Sequence, residues 1–161
     1  MQLVTWIILI ALAVLQSSFI IHIPFFQFKP ELILIFCVYL ATRYDWVRGF
    51  WWGMACGAAM SICSIGDPRF FILVFASIGF VSGSFRGALF VDHNSTKIII
   101  LFFMSIAGTM AFALLTQQSG FSFFEMAFIK KYIIKIAVIN CLFAVPLYSF
   151  FQKIYNKIEA R

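Results

Sequence analysis

The residues of this chain that could do chemistry are few and lie far apart. Its 161 residues include 6 Asp and Glu, 2 His and 4 Cys. The sequence has no His-Glu-x-x-His zinc motif, no Gly-x-Ser-x-Gly elbow, no phosphate-binding loop and no pair of neighbouring carboxylates. His22 and His93 are isolated, which favours structural roles for both. We therefore predict a protein that is not an enzyme and that binds no metal or cofactor.

The cysteines have the surroundings of packing residues rather than of reactive groups. Cys37, Cys56, Cys63 and Cys141 lie inside apolar runs, and no two have Cys-x-x-Cys spacing. A free cysteine in such a run behaves as a small apolar side chain. The pattern therefore disfavours a disulfide framework and a metal site.

A few polar residues interrupt the apolar runs, where they are costly and often functional. Glu31 follows Pro30 at the start of a run, and a carboxylate is favourable at a helix N-terminus. Gln16 and Asn140 lie within runs, and a buried amide needs a partner. That partner is either a neighbouring helix or a ligand, and the sequence leaves both open.

Charged turns separate some of the runs. Arg43, Asp45 and Arg48 form one such turn, which is either a solvated anchor at the membrane surface or a contact for a cytoplasmic partner. Asp67 and Arg69 flank Pro68 in another, where we expect turn chemistry.

Two rows of small residues recur at helical spacing. Residues four apart lie on one helix face, and small side chains there let another backbone approach closely in lipid. The rows pack against other helices of the same chain, or they form a docking groove for a partner helix. Their members are Gly49, Gly53, Gly57 and Ser61 in the third run, and Gly79, Gly83 and Gly87 in the fourth.

The composition requires a lipid environment. Hydrophobic residues make up 63% of the chain and charged residues 11%, whereas soluble domains average about 45–50% and about 25%. A cytosolic enzyme, a secreted disulfide scaffold and a nucleic-acid module are therefore excluded. The net charge of +6 comes from basic residues at the ends of apolar runs, where anionic lipids attract them.

The apolar runs predict one all-α membrane-embedded domain, 1–161, with six transmembrane helices. Six spans of about 20 residues leave no room for a separate soluble domain. The predicted spans are 3–23, 31–42, 47–65, 70–85, 98–115 and 132–151. The second is short, so its flanks must extend it or the protein must bury it.

The distribution of Lys and Arg gives an orientation, because cytoplasmic loops are enriched in them. With the N-terminus inside, seven basic residues lie on the cytoplasmic side and five on the other. We therefore predict that both termini are cytoplasmic. Lys130, Lys131 and Lys135 oppose this assignment unless the amphipathic stretch 121–131 holds them at the interface.

Several motifs occur in a characteristic order along the chain. They are a basic-Pro-acidic start to the second run, a tyrosine after its aliphatic residues, a glycine-rich third run, a glutamine late in the first run, and an asparagine–proline pair before a basic tail. Here they are Lys29-Pro30-Glu31, Val38-Tyr39-Leu40-Ala41, Gly49 to Gly57, Gln16, and Asn140 with Pro146. In order and spacing they resemble the MreD family over nearly the whole chain. Ser61 stands where that family usually carries Asp, and Glu31 where Asp or Asn is commoner.

The resemblance implies a protein of the bacterial inner membrane that belongs to the rod-shape elongation machinery. Proteins of that family bind MreC, and through it associate with MreB, RodA and a class B penicillin-binding transpeptidase. They are not known as enzymes. Their fold resembles the six-helix S-component of energy-coupling-factor transporters.

Two other functions remain open from the sequence. The size and span count also fit a substrate-binding S-component of a vitamin transporter, although the first run has only Ala13 and Ser17 where such subunits carry Ala-x-x-x-Ala. An outer cavity with convergent polar side chains would favour that function. A lipid-handling membrane enzyme would need clustered His or acidic groups, and the sequence has none.

Overall fold

The computed structural model of the chain describes residues 2–22, 30–64, 67–86, 94–116 and 123–159, and the side chains of 2–18, 30–64, 67–86, 95–112 and 132–159. These residues form six α-helices and no strand. The predicted all-α class and the six helices are therefore confirmed. In chain order the helices are α1 (Gln2–His22), α2 (Leu32–Arg43), α3 (Trp46–Cys63), α4 (Pro68–Ser84), α5 (Asn94–Thr116) and α6 (Phe123–Glu159).

Helix α6 departs most from the predicted spans. It has 37 residues and continues through Pro146, whereas the sequence predicts a connection at 117–132 and a tail after residue 151. The polar residues after 151 stay helical because Tyr155, which is fully buried, anchors this turn in the bundle. Pro146 is tolerated because neighbouring groups can satisfy the backbone that a helical proline leaves unpaired.

The turn before α4 follows the chemistry that the sequence predicts. The Asp67 carboxylate accepts a hydrogen bond of 2.9 Å from the backbone N–H of Arg69, and Pro68 occupies the first turn. Both features are typical of a helix start, since Asp caps orphan N–H groups and Pro needs no partner there.

Helix α2 is the centre of the bundle. Every residue from Leu32 to Thr42 is buried, and α2 contacts all five other helices. Twelve residues rise only about 18 Å, whereas a bilayer core is about 30 Å thick. The short second run is therefore buried by the rest of the protein rather than extended by its flanks.

The start of α1 and the last turns of α6 meet at one end of the bundle. The Thr5 and Tyr155 hydroxyls are 2.8 Å apart, and the Arg43 guanidinium lies 2.5 Å from the Glu159 carboxylate. Arg86 pairs with Asp45 at 3.2 Å. We call this end the basic end; it is defined by Arg43, Arg48, Arg86, Lys97, Lys153 and Lys157.

The outside of the bundle is apolar. Large hydrophobic side chains are widely exposed, among them Ile62 at 87%, Leu142 at 70% and Trp51 at 63%. Within the described residues, two helical stretches are long and apolar enough to cross a membrane, Ser95–Phe112 and Tyr132–Glu159. Gln2–Ser18, Leu32–Arg43 and Pro68–Ser84 are shorter apolar helices.

Candidate functional site

The N-terminal end of α2 is capped by side chains from two other helices. The backbone N–H of Ile33 donates to Gln16 Oε1 at 3.0 Å, and that of Glu31 donates to Asn140 Oδ1 at 2.9 Å. The first N–H groups of any helix lack partners within it. Gln16 and Asn140, which are 7% and 0% exposed, supply those partners where water cannot.

Both capping amides are themselves held in position. Asn140 Nδ2 donates to Ser105 Oγ at 2.6 Å, and Gln16 Nε2 lies 3.1 Å from the sulfur of Met60. We call Gln16, Glu31, Ser105 and Asn140 the polar cluster. Its hydrogen bonds join α1, α5 and α6 to the start of α2.

Glu31 occupies the N-cap of α2, at the helix start that the sequence predicts. Its side chain makes no capping hydrogen bond, however, and its backbone N–H is the group that is bound. The group that accepts a hydrogen bond at the helix start is therefore the side-chain amide of Asn140, and not the carboxylate of Glu31.

Helices α3 and α4 touch backbone to backbone along their glycine rows. A Cβ built on Gly49 would lie 2.5 Å from the carbonyl oxygen of Gly79, and one on Gly57 would lie 2.7 Å from Cα of Ile72. A Cβ on Gly83 would lie 2.8 Å from Cα of Trp46. Real Cβ atoms are essentially never within 3.0 Å of such atoms, so only glycine fits at these positions.

The close backbone contacts do not extend along the full length of the two predicted rows. Ser61 is partly buried, and its hydroxyl donates to the carbonyl of Ala58 in its own helix at 2.7 Å. Gly87 lies outside the described residues. Gly108 on α5 belongs to neither predicted row. A Cβ added there would lie 3.0 Å from Cδ1 of Ile78, which is the end of a side chain and can move, unlike a backbone atom.

At the basic end, Arg43 and Arg48 have different surroundings. Arg43 is paired with Glu159 and stands over the ring of Tyr155, 5.0 Å from its centroid. Arg48 is exposed and stands 5.9 Å from the ring centroid of Tyr44. Burial raises the pKa of the Tyr44 phenol, and the positive charge of Arg43 opposes that increase. Of the two arginines in this turn, Arg48 is therefore the exposed one, and Arg43 is the one paired with a carboxylate.

Comparison with known proteins identifies the family. A family model described as rod shape-determining protein MreD matches residues 1–158. The chain belongs to the MreD family. No curated protein matches it, and no solved structure matches it. Membership gives it a role in rod-shape determination and makes it a membrane protein. The likeness to transporter S-components stays a prediction.

The motifs that carried the resemblance converge on the central helix. Gln16, Glu31 and Asn140 meet at one end of α2. Tyr39, near the other end, is buried with its ring centroid 5.4 Å from that of Tyr148. Residues far apart in the sequence therefore belong to one structural unit, which is α2 and the groups that hold it.

Two buried polar contacts of the bundle were not predicted from the sequence. Ser105 is 1% exposed and binds Asn140, and Thr5 is 0% exposed and binds Tyr155. A hydroxyl within an apolar run was the available signal for both. That signal is weak, because Ser and Thr in membrane helices can also bind the carbonyl of their own previous turn, as Ser77 does with Leu73 at 2.8 Å.

The cysteines are free thiols. Cys37 and Cys56 are buried, and Cys63 and Cys141 are partly buried. Among the residues whose positions the structure gives, no group of three or more His, Cys, Asp or Glu could hold a metal ion.

Proposed function

We propose that this protein is a non-enzymatic scaffold of the bacterial cell-wall elongation machinery, a multi-pass protein of the inner membrane whose six helices form one bundle. It binds MreC, and through MreC associates with MreB, RodA and a class B penicillin-binding transpeptidase. The single observation that carries the proposal is the family match over residues 1–158.

The geometry of the polar cluster supports a scaffold over ligand capture or catalysis. A substrate-binding subunit needs polar groups free to contact its ligand. Here the amides of Gln16 and Asn140 are engaged by the backbone of α2 and by Ser105. We infer that these residues hold the bundle together, and that the apolar outer surface of the helices is what the protein offers to partners.

The glycine rows support the same proposal. Gly49, Gly53 and Gly57 of α3 face the backbone of α4, so this side of α3 is already occupied within the chain. We infer that the rows make α3 and α4 a rigid pair rather than a groove for a partner helix.

Co-purification with MreC tests the proposed function. The two proteins are co-expressed and extracted in a mild detergent, and a tag on this chain is used for capture. We expect MreC to co-elute in a constant ratio through size exclusion, while MreC expressed alone passes through the same resin. Failure of MreC to co-elute would refute the scaffold proposal, and a bound vitamin-like molecule found by mass spectrometry would favour the transporter subunit.

We also propose that the basic end faces the cytoplasm, because it holds six of the chain's 12 Lys and Arg residues. The test is Lys157→Cys, treated with a membrane-impermeant maleimide. We expect labelling only after the cells are broken. Labelling in intact cells would show that the basic end faces away from the cytoplasm.

A further inference from the structure

A groove of about 710 Å³ lies beside the basic end, between α1 and the outer side of α3. Its walls include Trp6 of α1 and Trp51, Trp52 and Ala58 of α3. The rings of Trp6 and Trp52 are in contact, with centroids 5.3 Å apart. The volume is in the range of about 300–1,000 Å³ that is typical of small-molecule sites.

The groove has a polar end and an apolar end. Arg48 is the one charged residue among the described residues that line it. Ala55 and Ala58 line it about two to three turns further along α3. Helix α3 rises about 15 Å between Arg48 and Ala58, which is half of a hydrocarbon core of about 30 Å. A transmembrane helix would need the full thickness, so the length matches a molecule confined to one leaflet.

The charge balance around the groove favours an anion. Among the described residues of the basic end, Asp45 is paired with Arg86 and Glu159 with Arg43. Arg48 has no acidic partner within the described part of the chain. A guanidinium can donate two parallel hydrogen bonds to a phosphate, and tryptophans are enriched at the headgroup level of membranes.

We propose that this groove binds one anionic phospholipid from the leaflet at the basic end. Arg48 donates hydrogen bonds to the phosphate, and one acyl chain lies along Trp6, Trp52 and Ala58. An anionic headgroup is preferred over a zwitterionic one because the surrounding cations of the basic end attract net negative charge. The proposal does not rest on the proposed binding of MreC.

Tryptophan quenching by brominated lipids tests this site directly. Three of the chain's 4 tryptophans line the groove, so in Trp46→Phe every remaining tryptophan is a groove-lining residue. The full chain is reconstituted in phosphatidylcholine vesicles, and either brominated phosphatidylglycerol or brominated phosphatidylcholine is added. We expect brominated phosphatidylglycerol to reach half-quenching at a mole fraction at least about threefold lower than brominated phosphatidylcholine does.

Two further variants separate specific binding from general attraction. Arg48→Gln should bring the ratio of the two half-quenching fractions close to one. Lys153→Gln removes the same charge from the basic end at an exposed residue outside the groove lining, and it should retain the preference. If Arg48→Gln does not fold, Ala58→Leu, which fills the apolar end, should weaken quenching by both lipids.

Three results would overturn the proposal. The first is equal quenching by the two lipids in the unaltered groove. The second is a preference that survives Arg48→Gln or is lost in Lys153→Gln. The third is a disulfide that links the Ala58→Cys variant to another polypeptide in cell membranes, because it would show that a partner helix occupies the groove.

Discussion

Replacing Gly53 by alanine tests whether backbone contact between α3 and α4 holds the bundle together. An added Cβ would collide with the carbonyl oxygen of Phe75 and would lie 3.0 Å from Cα of Ala76. Both neighbours are backbone atoms, so neither can rotate away and the helices must separate. Overpacking of this kind costs about 1–3 kcal/mol, whereas the higher helix propensity of alanine alone would stabilise the helix by up to about 1 kcal/mol.

The measurement is thermal unfolding of the purified protein in detergent, followed by tryptophan fluorescence. A loss of 1 kcal/mol lowers Tm by about 2–4 °C in a chain of this size, so we expect Gly53→Ala to lower Tm by several degrees and Gly53→Leu to lower it further. Gly108→Ala is the matched control, because its Cβ would meet only side-chain ends, Cδ1 of Ile78 at 3.0 Å and Cδ1 of Leu34 at 3.6 Å, and it should leave Tm unchanged or slightly raised. An unchanged or raised Tm for Gly53→Ala would refute the argument.

Two further substitutions and one labelling experiment test other contacts of the bundle. Asn140→Ala leaves the partly buried N–H of Glu31 without its partner and should cost about 1–3 kcal/mol, which lowers Tm by roughly 2–12 °C; an unchanged Tm would argue against the cap. Tyr155→Phe removes the hydroxyl that binds Thr5 at 2.8 Å and should cost about 1 kcal/mol in the same assay. Cys37 is 0% exposed, so a membrane-permeant maleimide should label it only as the protein unfolds; fast labelling of the folded protein, located by peptide mass spectrometry, would contradict its position.

The sequence predicted most of the six helices well because each is an apolar run ended by a recognisable break. The turn at Asp67 and Pro68 is such a break, and α4 begins there. Helix α6 was harder, since the polar residues after position 151 look like a tail. Their helical state depends on Tyr155 packing against other helices, and no local pattern reports that contact.

The polar contacts could be predicted only in part. Burial of Gln16 and Asn140 implies that each has a partner, but the partner is a backbone group of α2, far away in the chain. The glycine rows pose the same difficulty. Their spacing predicts a close helix contact, while the identity of the second helix depends on the register that sets Gly49 opposite Gly79.

The length of α2 explains why amides occur at these two positions. A helix that rises about 18 Å must begin inside the bundle, so its first N–H groups cannot reach water on the near side of the membrane. An unsatisfied backbone group in lipid costs several kcal/mol, and a backbone N–H cannot be removed by changing a side chain. Gln16 and Asn140 are therefore consequences of a short central helix, and the motif around Glu31 marks the place where that helix starts.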